Sequence, residues 1–130
     1  MNPIHFECVV PILSVTDLDA SLQYYKGKLG FVEDFVYPGS YAGISRGGKG
    51  IMLCQGGQGQ PGTWVWFGVN DAQALYEEYV QRGADVKTPP SNYPWALEFH
   101  VQDPDGHVLR FGSDAMDDRP YDEWVEWYAD

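Results

Sequence analysis

Basic residues are scarce in this 130-residue sequence. Eight Lys and Arg stand against nineteen Asp and Glu, a formal net charge of −11. A nucleic-acid binder needs a basic footprint to displace counterions, so that class is excluded, and an anionic membrane surface is disfavoured for the same reason. Cysteine is scarcer still: Cys8 and Cys54 are too few for a disulfide framework or a zinc cluster. They read as reduced thiols, which points to a cytoplasmic location. No apolar run approaches the roughly 20 residues of a membrane span, and Met1–Cys8 lacks the basic start and long apolar stretch of a signal peptide. Neither a Walker loop nor a G-x-S-x-G elbow occurs. Gly57-Gln58-Gly59-Gln60-Pro61-Gly62 matches a dinucleotide fingerprint in form only, because Pro61 lies inside it and a strand, not a helix, follows. It reads as a linker.

Aromatic residues, by contrast, are plentiful: five Trp, nine Tyr and six Phe, or 15% of the chain. With 44% apolar residues, the length suits one domain or two very small halves sharing a core, with no staple needed. The negative charge is uneven. Residues 114–130 hold seven acids and one Arg, so the tail contributes −6 and the rest −5. Such charge serves solubility and attracts cationic ligands.

A pattern repeats at half-chain spacing. Val9–Val15 reads as a strand, Asp17 caps a helix running through Lys28 with Leu18, Leu22, Tyr25 and Leu29 at helical spacing, and Gly30 stops it. Strands Phe31–Tyr37, Tyr41–Arg46 and Gly50–Cys54 follow, separated by glycine-containing turns. In the second half Trp64–Val69 is a strand, and Asn70 or Asp71 caps a helix carrying Leu75, Tyr76, Tyr79 and Val80. Gly83 ends that helix, and strands Ala84–Lys87, Ala96–Gln102 and His107–Gly112 complete the unit. Asp103-Pro104-Asp105-Gly106 joins the last two with turn chemistry at each position. The order is βαβββ twice, in halves of about 7–55 and 63–113. Residues 114–130 form an acidic appendage in which Pro120 starts a short helix. Its apolar stripe of Tyr121, Trp124, Val125 and Tyr128 must dock on its own domain or on a partner.

This arrangement resembles the vicinal oxygen chelate superfamily, which includes glyoxalase I, extradiol dioxygenases, fosfomycin-resistance thiol transferases and bleomycin-resistance proteins. It is most similar to the last of these. The resemblance rests on Val10-Pro11-Ile12-Leu13, Lys28-Leu29-Gly30-Phe31, Tyr41-Ala42-Gly43, Trp64-Val65-Trp66, Pro94-Trp95 with Glu98-Phe99, and Asp103-Pro104-Asp105-Gly106, and spans about residues 7–113. It implies an α+β fold of two tandem βαβββ modules forming open cup-shaped sheets. The superfamily's metal-ligand positions fall on Val10, Trp64 and Arg110. None of these can ligate a divalent cation, so no metal and no cofactor is expected.

Strand parity places Trp64 and Trp66 on one face, opposite Val65, Phe67 and Val69; the resemblance makes the first face the concave one. Parity also joins Glu98 to His100, a pair that lines a cleft or hydrogen-bonds to Arg110, and leaves Val108 and Arg110 in the concavity. Aromatic walls stack on flat ligands and attract cations. The resemblance implies a planar ligand sandwiched by Tyr41 and Trp95 in a groove between protomers, and Phe35 completes the expected set of Phe35, Tyr41, Trp64, Trp66, Trp95, Glu98, His100 and Arg110. Arg110 is a fixed cation that works against a cationic drug. The expected function is a metal-free, homodimeric protein that sequesters a planar, cationic small molecule of the bleomycin type, with the strand before Pro11 exchanged between protomers. The alternatives are a lyase, dioxygenase or other enzyme of the same fold using Glu98 or His100 as acid/base, and a sensor or storage module whose partner docks on the Trp124 stripe.

Overall fold

The computed structural model describes residues 3–124. They form two compact units that divide between Pro61 and Gly62, each with a four-stranded mixed sheet and one helix. The elements are β1 (Ile12–Val15), α1 (Leu18–Gly27), β2 (Val32–Tyr37), β3 (Tyr41–Arg46), β4 (Lys49–Gln55), β5 (Trp64–Gly68), α2 (Ala72–Arg82), β6 (Ser91–Tyr93), β7 (Ala96–Gln102) and β8 (Val108–Ser113). Strand order is β1-β4-β3-β2 in the first unit and β5-β8-β7-β6 in the second. In each, the leading strand is parallel to the last and the remaining pairs are antiparallel. The α+β class and the tandem βαβββ order expected from the sequence are what the chain forms.

Capping explains where the helices begin. Asp17 and Asp71 sit extended, and each carboxylate accepts a hydrogen bond from the N–H three residues on, at Ala20 (3.2 Å) and Ala74 (2.9 Å). Gly83 closes α2 at φ 79°, a left-handed conformation that a side chain would resist. Leu18, Leu22, Tyr25 and Leu29 are all buried, so α1 lies on the sheet through the stripe its spacing marks out. In α2 the buried residues are Ala72 and Tyr79, whereas Val80 is exposed, so the buried stripe is turned from the expected one. Each sheet has one face under its helix: Leu13, Ala42, Ile44, Ile51 and Leu53 in the first unit, Leu97, Phe99, Val101, Leu109 and Phe111 in the second. The functional question concerns the opposite faces.

Three expectations need correction. The first strand starts at Ile12 rather than Val9: Pro11 has no N–H to donate, and its carbonyl accepts from the Met52 N–H (2.9 Å) where the ladder begins. Ala84–Lys87 is not a strand. Only Val86 bridges to Val101, and Pro89-Pro90, with no N–H groups, interrupt the pairing until it resumes as β6 at Ser91. No helix starts at Pro120, because Asp122 instead exchanges hydrogen bonds with the Asn92 backbone on β6, each 2.7 Å long. Val125 and Tyr128, the rest of the expected helical stripe, lie outside the described residues.

Candidate functional site

In the second unit, Trp66, Arg110 and His100 form one cross-strand row on β5, β8 and β7, and Gly68, Gly112, Glu98 and Ser91 form the next. Cross-strand partners share a face, so this register brings one acid, one cation, one imidazole and one indole together. Arg110 donates to Glu98 Oε1 through Nε (3.1 Å) and Nη2 (2.6 Å), and Trp66 Nε1 donates to Oε2 (3.2 Å). His100 Nε2 lies 3.6 Å from Oε1. Glu98 and His100 are buried, while Arg110 keeps partial access to solvent. Burial pushes the Glu98 carboxyl up, but the nearby His100, the hydrogen bonds from Arg110 and Trp66 and the Arg110 charge outweigh it and hold the group below the ordinary carboxylate range. The cluster is built on an ion pair in which both Glu98 oxygens accept hydrogen bonds, and Arg110 is a neutralised cation rather than a free one.

Rings surround this cluster. Trp66 lies flat over the sheet, where a Cβ on Gly112 would stand 2.7 Å from its Cζ2. Trp64 packs edge-on to His100 with centroids 5.8 Å apart. Trp95, 56% exposed, stacks on the buried Tyr93 at 4.8 Å and 11°. Trp124 then lies beside Tyr93 (5.6 Å), Trp95 (6.3 Å) and His100 (5.8 Å), with the Arg110 guanidinium 5.2 Å from its ring centroid. The tail reaches this place through Asn92, whose side chain accepts from the Met116 N–H and donates to the carbonyls of Met116 and Pro120.

The first unit presents a different surface. Its two cross-strand rows are Ile12, Met52, Gly43 and Phe35, and Ser14, Cys54, Tyr41 and Tyr37. Tyr37 stacks on Tyr41 at 4.9 Å and 23°, and Phe35 meets both rings edge-on. Phe35 covers Gly43 so closely that a Cβ there would run into its Cε1. A cleft of about 280 Å³ opens beside Tyr41, lined by Ile12, Met52, Cys54 and Gln58. Gly59 is needed at its rim: at φ 83°, its missing Cβ would stand 3.0 Å from the β1 backbone at Ile12 and Ser14.

The expected residues thus fall into two groups. Phe35 and Tyr41 lie together in the first unit; Trp64, Trp66, Glu98, His100 and Arg110 lie together in the second, with Trp95 at the edge of the same unit. Sequence reasoning missed Tyr37 and Tyr93, the rings on which Tyr41 and Trp95 stack. Parity on β2 pairs Tyr37 with Phe35 and could have found the first. Of the metal positions implied by the resemblance, Val10 and Trp64 offer no donor and Arg110 is held by Glu98, so these residues do not fit a divalent cation. Among the described residues no three His, Cys, Asp or Glu side chains converge. Nor does any helix among them have the length and apolarity to cross a membrane.

The model of the Glyoxalase/Bleomycin resistance protein/Dioxygenase superfamily matches residues 4–111. Among solved structures, the bleomycin-binding protein of bleomycin-producing Streptomyces verticillus, complexed with copper(II)-bleomycin, is similar at 25% identity and TM-score 0.72, covering 88% of this chain and 100% of its own. TioX from Micromonospora sp. ML1 (23%, TM-score 0.70, 80% and 95% covered) and a glyoxalase/bleomycin resistance protein/dioxygenase from Nocardioides (20%, 0.68, 94% and 93%) share the fold. Curated proteins give no match.

Proposed function

The chain belongs to the Glyoxalase/Bleomycin resistance protein/Dioxygenase superfamily, and from that premise we propose that it binds and sequesters a planar, cationic small molecule of the bleomycin type without changing it chemically. One observation carries this reading: the aromatic rings are exposed on firm platforms, while the buried acid of the second unit is committed to an ion pair. Tyr41 on Tyr37 and Trp95 on Tyr93 are each flat rings backed by a second ring, and Trp64 and Trp66 are about half exposed. A backed ring loses little freedom when a ligand stacks on it, which favours binding. Glu98, made a weaker base by its lowered pKa and gripped on both oxygens, is poorly placed to take a proton from a substrate, so the reading that uses it as acid/base has less support. Neutralisation of Arg110 by Glu98 removes the repulsion that a bare cation would exert on such a ligand. The net charge of −11 adds a diffuse attraction, screened beyond about 8 Å at physiological salt. The bleomycin complex of the Streptomyces verticillus protein supports the ligand class.

The reading includes a homodimer. Ile4, Phe6 and Val9 lie in an N-terminal segment without regular structure, each about nine-tenths exposed, and a monomer rarely leaves such residues in water. Exchange of this segment between protomers would cover them. Calorimetric titration with metal-free bleomycin tests the ligand: saturable heat with quenching of tryptophan fluorescence is expected, and the absence of both sinks the drug reading. A light-scattering mass of one chain at micromolar concentration defeats the dimer.

A further inference from the structure

Trp124 is the residue whose position the binding reading does not explain. Its indole is bordered by Tyr93 on β6, Trp95 in the β6–β7 turn, His100 on β7 and the Arg110 guanidinium on β8. Those groups have supports of their own: Tyr93 stacks on Trp95, and Arg110 is held by Glu98 at 2.6 Å. The tail is fastened elsewhere. Hydrogen bonds run from Asn92 to residues 116, 120 and 122, so the tail has an anchor on β6 besides the ring contacts of the indole. The surroundings define what fits. A guanidinium over a ring face favours an electron-rich π system, and the Glu98–Arg110 pair carries no net charge, so a neutral flat heteroaromatic ring matches the place.

We propose that the Tyr93–Trp95–His100–Arg110 surface is a ring-binding position for a neutral, electron-rich heteroaromatic group, and that Trp124 is its resident occupant, which a ligand ring has to displace. The tail is then an internal competitor. It lowers apparent affinity by the fraction of time it is seated, and its anchor at Asn92 holds it close enough to return. The competition rests on the binding reading above; the existence of the ring position does not.

The test uses indole as the probe. Trp124→Gly empties the position, and indole is titrated by calorimetry into this variant, the parent and Asp122→Ala, which weakens the anchor but keeps the ring. Indole is expected to bind Trp124→Gly at least about tenfold more tightly than the parent, with Asp122→Ala between them. Equal affinity for parent and variant, or binding to neither, overturns the proposal. If circular dichroism shows Trp124→Gly unfolded, Trp124→Leu and Asp122→Ala carry the same comparison. Metal-free bleomycin then separates the two readings. Displacement of indole, with tighter drug binding by Trp124→Gly than by the parent, supports the competition. Drug binding that leaves indole seated overturns it. If the drug binds no form, only the drug reading falls, and the indole comparison still decides the ring position.

Discussion

In residues 1–61 the sheet face turned away from α1 carries Ile12, Tyr41, Met52 and Cys54 and leaves a cleft; in residues 62–130 the matching face carries Trp66, Glu98, His100 and Arg110 beneath Trp124. The strand order is the same, so the difference lies in the side chains and in the tail that is hydrogen-bonded to β6 of the second unit. It teaches what a duplicated fold leaves free. An apolar and aromatic face can stay partly open, since exposure of a few rings is tolerated. A face with a buried carboxylate cannot, because every oxygen must find a donor and the donors must be held in register. The residues on the open face of the second unit therefore bind one another. The first keeps them available.

The sharpest way to break this contrast is to remove one member of the ion pair. Arg110→Ala leaves Glu98 buried beside only His100 and Trp66, and stability is expected to fall by about 3 kcal/mol, the lower end for an uncompensated buried charge because Arg110 is itself partly solvated. Urea unfolding measures it. The double variant Glu98→Leu/Arg110→Met makes the second face apolar like the first and should recover most of that loss. A double variant as unstable as the single one would mean that the pair is not the reason for the filled face.

Ligand binding sharpens the comparison from the other side. Trp95→Ala should weaken bleomycin by roughly 1–3 kcal/mol, about tenfold to a hundredfold or more in Kd, as truncating a stacking partner does. Stability should change little, because Trp95 is over half exposed. An unfolded Trp95→Ala would make the ring structural and place the ligand elsewhere.

Next come the glycines under the rings. Gly112→Ala drives a methyl group into Trp66, whose Nε1 is bonded to Glu98, so both a ring and a hydrogen bond must give way, at a cost of about 2 kcal/mol. Gly43→Ala displaces only Phe35, which has no such tie, and about 1 kcal/mol is expected. Thermal unfolding of the two variants side by side checks the order. Equal losses would argue that the Trp66–Glu98 bond contributes nothing.

Much of this could be read in the residues. Asp17 announced the first helix, and Asn70 or Asp71 the second, because a short acceptor before an apolar periodic run satisfies the first N–H groups. The period of two put Trp64 and Trp66 on one face and Phe67 on the other, where Phe67 stacks on Phe111. Parity also joined Glu98 to His100 and left Arg110 on their side. What parity does not carry is depth. Both faces of β7 are buried, so Glu98 and His100 are covered rather than exposed in a cleft, and the cover comes from Trp66 and the tail. The helical spacing of Trp124 with Tyr121 does not give its place, which is set by Asn92, a residue nothing in the sequence singles out, whose amide and backbone hold the tail across β6. Position within a strand is local information, whereas tail docking is a tertiary bargain.

The smallest effect distinguishes the two faces by pH alone. The Glu98 carboxyl is held below its ordinary value of 4.5 in the folded chain, so the unfolded chain binds its proton first as acid is added. The resulting stabilisation is fully present above the unfolded value and is lost as pH falls through the folded one. Stability of the parent, followed by urea midpoint from about pH 5 to about pH 3, should therefore decline more steeply than that of Glu98→Gln, which cannot ionise there. Other carboxylates contribute to both curves, and the difference between the curves isolates this group. The first unit places no carboxylate among the residues of its two open rows, so substitutions such as Tyr41→Phe should leave the acid slope unchanged. Parallel curves for the parent and Glu98→Gln would mean that Glu98 titrates like a free carboxylate, and the filled face would then be polar without being an ion pair that the fold depends on.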